Sequence, residues 1–154
     1  MKTIVMFGHA TDEWSTPIDT FAALHREFTF MLDAAATREN RLCTNYYGPD
    51  HEKAECRNGL VVDWASSTFV NPPYSRCREF IAKAAEEAAN GCTVVALVPS
   101  RTDTRWWHEH VWDASQHCCR HGVTVRFIKG RLKFGDSMNS APFPSVVIIF
   151  RPAS

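Results

Sequence analysis

A largely parallel α/β sheet with an antiparallel hairpin at one edge is the fold class this sequence predicts, on three observations. Apolar runs of strand length alternate with helix-forming stretches through the middle of the chain, the pattern of parallel strands joined by crossover helices. One run, residues 93–98 (Thr-Val-Val-Ala-Leu-Val), is almost continuously β-branched or aliphatic, as a strand covered on both faces is. The last two runs, 123–128 and 146–150, have no long helical stretch between them, so they are expected to pair antiparallel.

The elements follow in order. Residues 28–33 (Phe-Thr-Phe-Met-Leu-Asp) read as a short buried strand ending in an acid. Residues 38–59 are polar and irregular, which predicts a long loop with at most a helical turn. Residues 60–63 and 68–70 are two further short strands, each followed at once by polar or turn chemistry. Residues 75–90 are strong helix formers with Gly91 as the stop signal. Phe80, Ile81, Ala84, Ala85 and Ala88 recur at helical spacing and predict one buried face. Residues 103–120 read as a second helix, capped by Asp103 or Thr102.

The chain has 154 residues, which fits one domain spanning 1–154. Lys+Arg and Asp+Glu are both 17, so net charge argues neither for nor against nucleic acid, because a basic patch can sit inside a neutral total. Six cysteines with no C-x-x-C pair read as reduced intracellular thiols. The start of the chain has no signal-peptide pattern, and the longest apolar run, 92–99, is too short to span a bilayer. A cytoplasmic protein with no membrane partner is expected. No metal is assigned. His117 and His121 would share a helix face, but Cys118 and Cys119 would point away from it and Gly122 ends the helix. Cys43, His51 and Cys56 lie in the irregular loop, where a metal would give the segment a reason to order; the sequence leaves that open. Cys77 has no evident base, so it is not read as a nucleophile.

Ligands of open α/β sheets bind outside the carboxyl ends of the strands. Asp33, Asp63 and Asn71 each end a predicted strand, and the last is followed by Pro72-Pro73-Tyr74. An aromatic amine is a poor nucleophile because its lone pair is delocalised into the ring. Two acceptors aimed at its N–H hydrogens, the Asn71 amide oxygen and the Pro72 carbonyl, would pull it towards tetrahedral geometry. Pro72 and Pro73 each fix φ near −65° and lack an N–H, so the turn is stiff. Tyr74 offers a flat face for stacking a planar base. Attack on a sulfonium methyl then needs alignment and electrostatic support rather than a metal or a strong base.

Asn-Pro-Pro-Tyr is the hallmark of amino-group methyltransferases that act on adenine, and it also occurs in those acting on protein glutamine. More of the chain resembles one group, the small phage-type DNA N6-adenine methyltransferases (Dam-like). Asp12-Glu13-Trp14-Ser15-Thr16-Pro17 and residues 27–35 resemble the opening of that family. Asp63-Trp64, Asn71-Pro72-Pro73-Tyr74-Ser75, residues 101–108, Gly130-Arg131-Leu132-Lys133-Phe134 and Ala141-Pro142-Phe143-Pro144-Ser145 follow in its order.

The resemblance implies a reduced Rossmann-like class I methyltransferase fold, S-adenosyl-L-methionine as methyl donor, and N6 of adenine in double-stranded DNA as acceptor. Trp14, Thr16 and Pro17 would cover the methionine end of the cofactor, with the Thr16 hydroxyl towards its carboxylate; Thr-Pro is equally a helix start. Asp33-Ala34-Ala35 looks like the cofactor motif after the first strand, with Asp33 towards the ammonium; a glycine-rich loop is usual there and this chain has alanines. Asp63 would accept from the cofactor adenine and Trp64 would pack on that ring. Asn40 and Asp50 are the candidates for the ribose. Arg101 and Arg105 would contact DNA phosphate. Lys129, Arg131 and Lys133 alternate and would share a strand face, with Phe134 against the flipped base. N6 faces the pairing partner in a duplex, so the base must leave the stack. The phage-type resemblance implies a bacterial host cell or a bacterium carrying a prophage, and a monomer or weak homodimer. The rivals are an amino-methyltransferase on RNA or protein glutamine, and a catalytically degenerate DNA-binding module.

Overall fold

A computed structural model describes residues 15–133 and 140–153. Its first helix, α1, is Ile18–Phe28, with Phe21 and Leu24 buried. It stops where Thr29 takes a left-handed conformation (φ 50°) and its N–H returns to the His25 carbonyl, a common helix ending. The strand β1 that follows is only Leu32–Asp33. The expected strand over 28–33 therefore loses its front half: Phe28 closes the helix, Thr29 turns, and Phe30 packs against Phe21 and Phe69.

The other elements are β2 (Ser67–Val70), α2 (Cys77–Ala89), β3 (Thr93–Pro99), α3 (Arg105–His110), β4 (Trp112–Asp113), β5 (Cys118–Cys119), β6 (Val123–Phe127) and β7 (Ser145–Phe150). Among the described residues five strands make one sheet in the order β1-β2-β3-β7-β6, and β4 and β5 form a separate pair. β1, β2 and β3 run parallel. β7 runs antiparallel to both β3 and β6, so the predicted C-terminal hairpin is present and its second strand enters the sheet next to β3.

Alternation along the strands divides the core between the two faces of the sheet. Val94, Ala96, Val146 and Ile148 face Ile81, Ala84 and Ala88 of α2, together with Trp106 and Trp107 of α3. Val95, Leu97, Val147 and Ile149 face Phe21 and Leu24 of α1. Each fully buried aliphatic side chain is worth about 1.5–3 kcal/mol, and every residue of β7 is buried, which makes the β3–β7 pair the centre of the hydrophobic stabilisation.

Four expectations are corrected here. Residues 60–63 form turns and not a strand; β1 already occupies the edge beside β2, and Val61 is 73% exposed. The helix over 103–120 ends at His110, because the Asp113 carboxylate accepts the N–H groups of Ser115 and Gln116 and the Ser115 hydroxyl. That local turn competes with helix, and His117 completes it at φ 54°. The chain becomes the β4–β5 hairpin, so His117 and His121 no longer share a helix face. Thr104 precedes α3 with no side-chain cap, in place of Thr102 or Asp103. Finally, residues 129–133 form no strand: Gly130 turns at φ 74°, and Lys129, Arg131 and Lys133 are all exposed.

Candidate active site

The carboxyl ends of the three parallel strands lie along one edge, and a cavity of about 310 Å³ opens there. Its floor is the segment leaving β1, from Asp33 to Thr37. Its far wall comes from the irregular loop, through Tyr47, Gly48, Pro49, Arg57, Asn58 and Gly59. Thr16, Asn71 and Pro73 close the end nearest β2.

The loop is held to the floor by backbone bonds. The Tyr47 N–H donates to the Asp33 carbonyl, and the Ala36 N–H to the Tyr47 carbonyl. Asp33 and Tyr46 form an isolated parallel bridge. Gly48 and Gly59 make this approach possible. A Cβ on Gly48 would stand 1.6 Å from the Ala36 carbonyl oxygen, and one on Gly59 would stand 2.4 Å from that of Ala34. The alanine run 34–36 needs no glycine of its own, because the facing chain supplies the missing side chains' space. Tyr47 and Trp64 fasten the loop's exit by donating to the carbonyls of Asp63 and Gly59.

Asp33 is 3% exposed, and its Oδ2 accepts the Leu42 N–H at 3.1 Å. Burial pushes its carboxyl up to about 7, against the opposing pull of the Leu42 and Ala35 amides. A carboxylate so dehydrated favours a cationic partner. Asn71 directly follows β2, and its Nδ2 donates to the Thr16 Oγ1 at 2.9 Å. Thr16 thus serves Asn71 and not the helix: Pro17 holds the N-cap position of α1, with no side-chain cap. Pro72 is buried, and the Pro73 carbonyl accepts the Arg76 N–H to close the 3-10 turn Tyr74–Arg76.

Tyr74 does not line the cavity. Its ring meets Phe143 edge to face at 4.8 Å, and the Arg101 guanidinium lies 5.4 Å from its centroid. Arg101 Nη2 also donates to the phenol oxygen at 3.4 Å. Burial raises the Tyr74 phenol above its ordinary value despite that cation.

Of the residues singled out in the sequence, Thr16, Asp33, Ala34, Ala35, Asn71 and Pro73 meet in the cavity, and Pro17 and Pro72 do not line it. Asp63 and Trp64 do not reach it. Without a strand over 60–63 their side chains are not aimed at this edge: Asp63 is exposed, and Trp64 sits 5% exposed in the core beside Phe80. Asn40 lines the cavity, whereas Asp50 turns to the Arg38 N–H. Arg105, Lys129 and Arg131 are exposed. Trp14 and Phe134 lie outside the described residues. Sequence reading missed Tyr47, Gly48, Asn58 and Gly59; the signal it had was two glycines in an otherwise charged loop. Among the described residues no group of three His, Cys, Asp or Glu side chains is placed to hold a metal ion, and no helix is long and apolar enough to cross a membrane.

A family model described as DNA N-6-adenine-methyltransferase (Dam) matches residues 6–154. A protein of Escherichia phage T1, described as DNA N-6-adenine-methyltransferase, is 33% identical over 108 residues, covering 68% of this chain and 43% of that protein. The match thus spans less than half the length of the phage relative.

Proposed function

The chain belongs to the DNA N-6-adenine-methyltransferase (Dam) family, and from that premise we propose that it transfers a methyl group from S-adenosyl-L-methionine to N6 of an adenine flipped out of double-stranded DNA. The observation that carries this reading is one cavity shared by a buried acid, Asp33, and the side chain of Asn71. The first suits the charged end of a methyl donor and the second suits an amine acceptor, so both substrates would meet at one place.

The size of the cavity and its polar lining support the cofactor reading. Small-molecule sites are typically about 300–1,000 Å³. We assign Asp33 to the methionine ammonium, Thr16 to the neighbourhood of its carboxylate, the backbone of Ala34 and Ala35 to close contact, and Asn40 to the ribose. When bound, the cofactor supplies an electrophilic methyl on a sulfonium. The protein's part is alignment: the Asn71 amide oxygen and the Pro72 carbonyl accept from the target amino group, and Tyr74 stacks on its ring. A strand order with the last strand antiparallel beside β3 supports a reduced Rossmann-like class I methyltransferase fold. Exposed Arg105, Lys129 and Arg131 are assigned to DNA phosphate.

The test is transfer of radiolabelled methyl from S-adenosyl-L-methionine to unmethylated mixed-sequence DNA, with RNA and a glutamine peptide in parallel. Label is expected in N6-methyladenine of the DNA. Cofactor binding without transfer to DNA sinks the proposal; label in RNA or peptide alone moves the chain to a different acceptor.

Asp33 gives a pH prediction. An ammonium binds the ionised carboxyl, so apparent cofactor affinity should fall as pH drops through about 7, approaching tenfold per unit below it. Folding has the opposite sign. The folded pKa lies above the ordinary 3.8, so the stabilisation belongs to the protonated acid and is lost as pH rises from about 4 through 7. Asp33→Asn should therefore melt higher than the parent at pH 8 while binding cofactor more weakly. Titration calorimetry and thermal melts between pH 6 and 8 check both halves, and a flat affinity profile would remove Asp33 from the ammonium.

A further inference from the structure

Two aromatic and cationic contacts converge on Tyr74 from parts of the chain that are remote in sequence. Tyr74 leaves β2, Arg101 leaves β3, and Phe143 leads into β7, all at the carboxyl edge. The supports are themselves fixed. The Arg101 carbonyl accepts both the N–H and the hydroxyl of Thr104, the latter at 2.7 Å. The Arg101 N–H donates to the Pro99 carbonyl, and the neighbouring Ser100 N–H donates to the Pro144 carbonyl at 2.9 Å. The loop after β3 is thereby tied to the segment that carries Phe143.

We infer that Arg101 is a positioning residue that holds the Tyr74 ring in the plane that receives the target base, with Phe143 as the second support. This rests on the reading of Tyr74 as the stacking face. A guanidinium suits the task because it is planar, stacks on aromatic rings and donates in its own plane, none of which an ammonium does. A ring fixed before the base arrives has less conformational freedom to lose on binding. Arg101 therefore acts on the target side of the reaction, whereas phosphate contact falls to Arg105 at the start of α3.

Two measurements test it. The chain has three tyrosines, so 3-fluorotyrosine labelling gives three ¹⁹F resonances, and Tyr74→Phe identifies the one of interest. Arg101→Ala and Arg101→Lys should both move the Tyr74 resonance. If neither does, the inference is overturned, whatever the enzyme's activity. The second measurement is affinity for oligo(dA), whose bases can stack without being flipped. Arg101→Ala should weaken it by roughly two- to fivefold, the worth of an exposed cation–π pair, and should do nothing further in a Tyr74→Leu background. An equal loss in both backgrounds, with the salt dependence reduced by about one phosphate contact, would make Arg101 a phosphate ligand and overturn the inference. A shifted Tyr74 resonance in a protein that methylates no DNA would uphold the positioning while refuting the proposed function.

Discussion

Asn71→Ala is expected to lower methyl transfer to DNA by at least about 10²–10³-fold, the usual cost of removing one hydrogen-bonding group aimed at developing charge. S-adenosyl-L-methionine affinity should stay close to the parent value. The asymmetry follows from position. Asn71 follows β2, the strand that pairs with β1 and its Asp33, and its side chain donates to Thr16 at 2.9 Å. On the proposed reading, losing the Asn71 side chain removes an acceptor for the target amine but leaves the acid, the alanine floor and the loop wall intact. Asn71→Asp keeps an acceptor of the same size and lets the Thr16 hydroxyl donate, so it should retain more activity than Asn71→Ala. Single-turnover rates paired with cofactor titrations measure both quantities. Rapid transfer by Asn71→Ala would remove this residue from the chemistry; a lost cofactor affinity would make its role structural.

The sheet was legible where a residue's burial is set by its own strand or helix. Residues 93–98 and 146–150 are apolar because both faces of the sheet are covered, and α2 shows its period because one face meets that sheet. Legibility failed where short polar contacts decide the backbone. Asp113 caps a hairpin turn within what scans as a continuous helix. Phe28 and Phe30 look like alternate strand positions, yet a left-handed Thr29 separates a helix end from a core side chain.

The site was half legible for the same reason. Asn71, Asp33 and Thr16 follow from strand ends and a short motif, and the cavity joins them. Asp63 and Trp64 inherited a strand that does not form, so one is exposed and the other is core. The far wall has no periodic pattern because backbone-to-backbone contact builds it, and contact of that kind leaves only glycines in the sequence. The missing glycine-rich loop after Asp33 looked like a departure from a cofactor site; the structure moves the small residues to Gly48 and Gly59 on the opposing chain.

Gly48→Ala carries the largest expected effect on stability for so small a change. Neither Gly48 nor Gly59 is in the left-handed region, so the requirement is space and not φ. The added Cβ of Gly48 would lie 1.6 Å from the Ala36 carbonyl oxygen. That oxygen belongs to the cavity floor and has no flexible tail to swing aside, so the loop must lift away. Overpacking of this kind costs about 1–3 kcal/mol, occasionally more, and a chain of this size loses about 2–4 °C of melting temperature per kcal/mol. A drop of roughly 5–10 °C is therefore expected. The lifted loop also takes Tyr47, Asn58 and Gly59 from the cavity, so cofactor affinity should fall with it. Gly91→Ala is the control. It strains a left-handed position at φ 106°, meets no atom within 4 Å and lies beyond α2, so it should cost about 1–2 kcal/mol without touching cofactor binding. Equal losses of affinity in the two variants would mean that affinity merely follows stability. A Gly48→Ala protein that melts and binds like the parent would show that the loop does not press against the floor, and the far wall of the cavity would have to be drawn elsewhere.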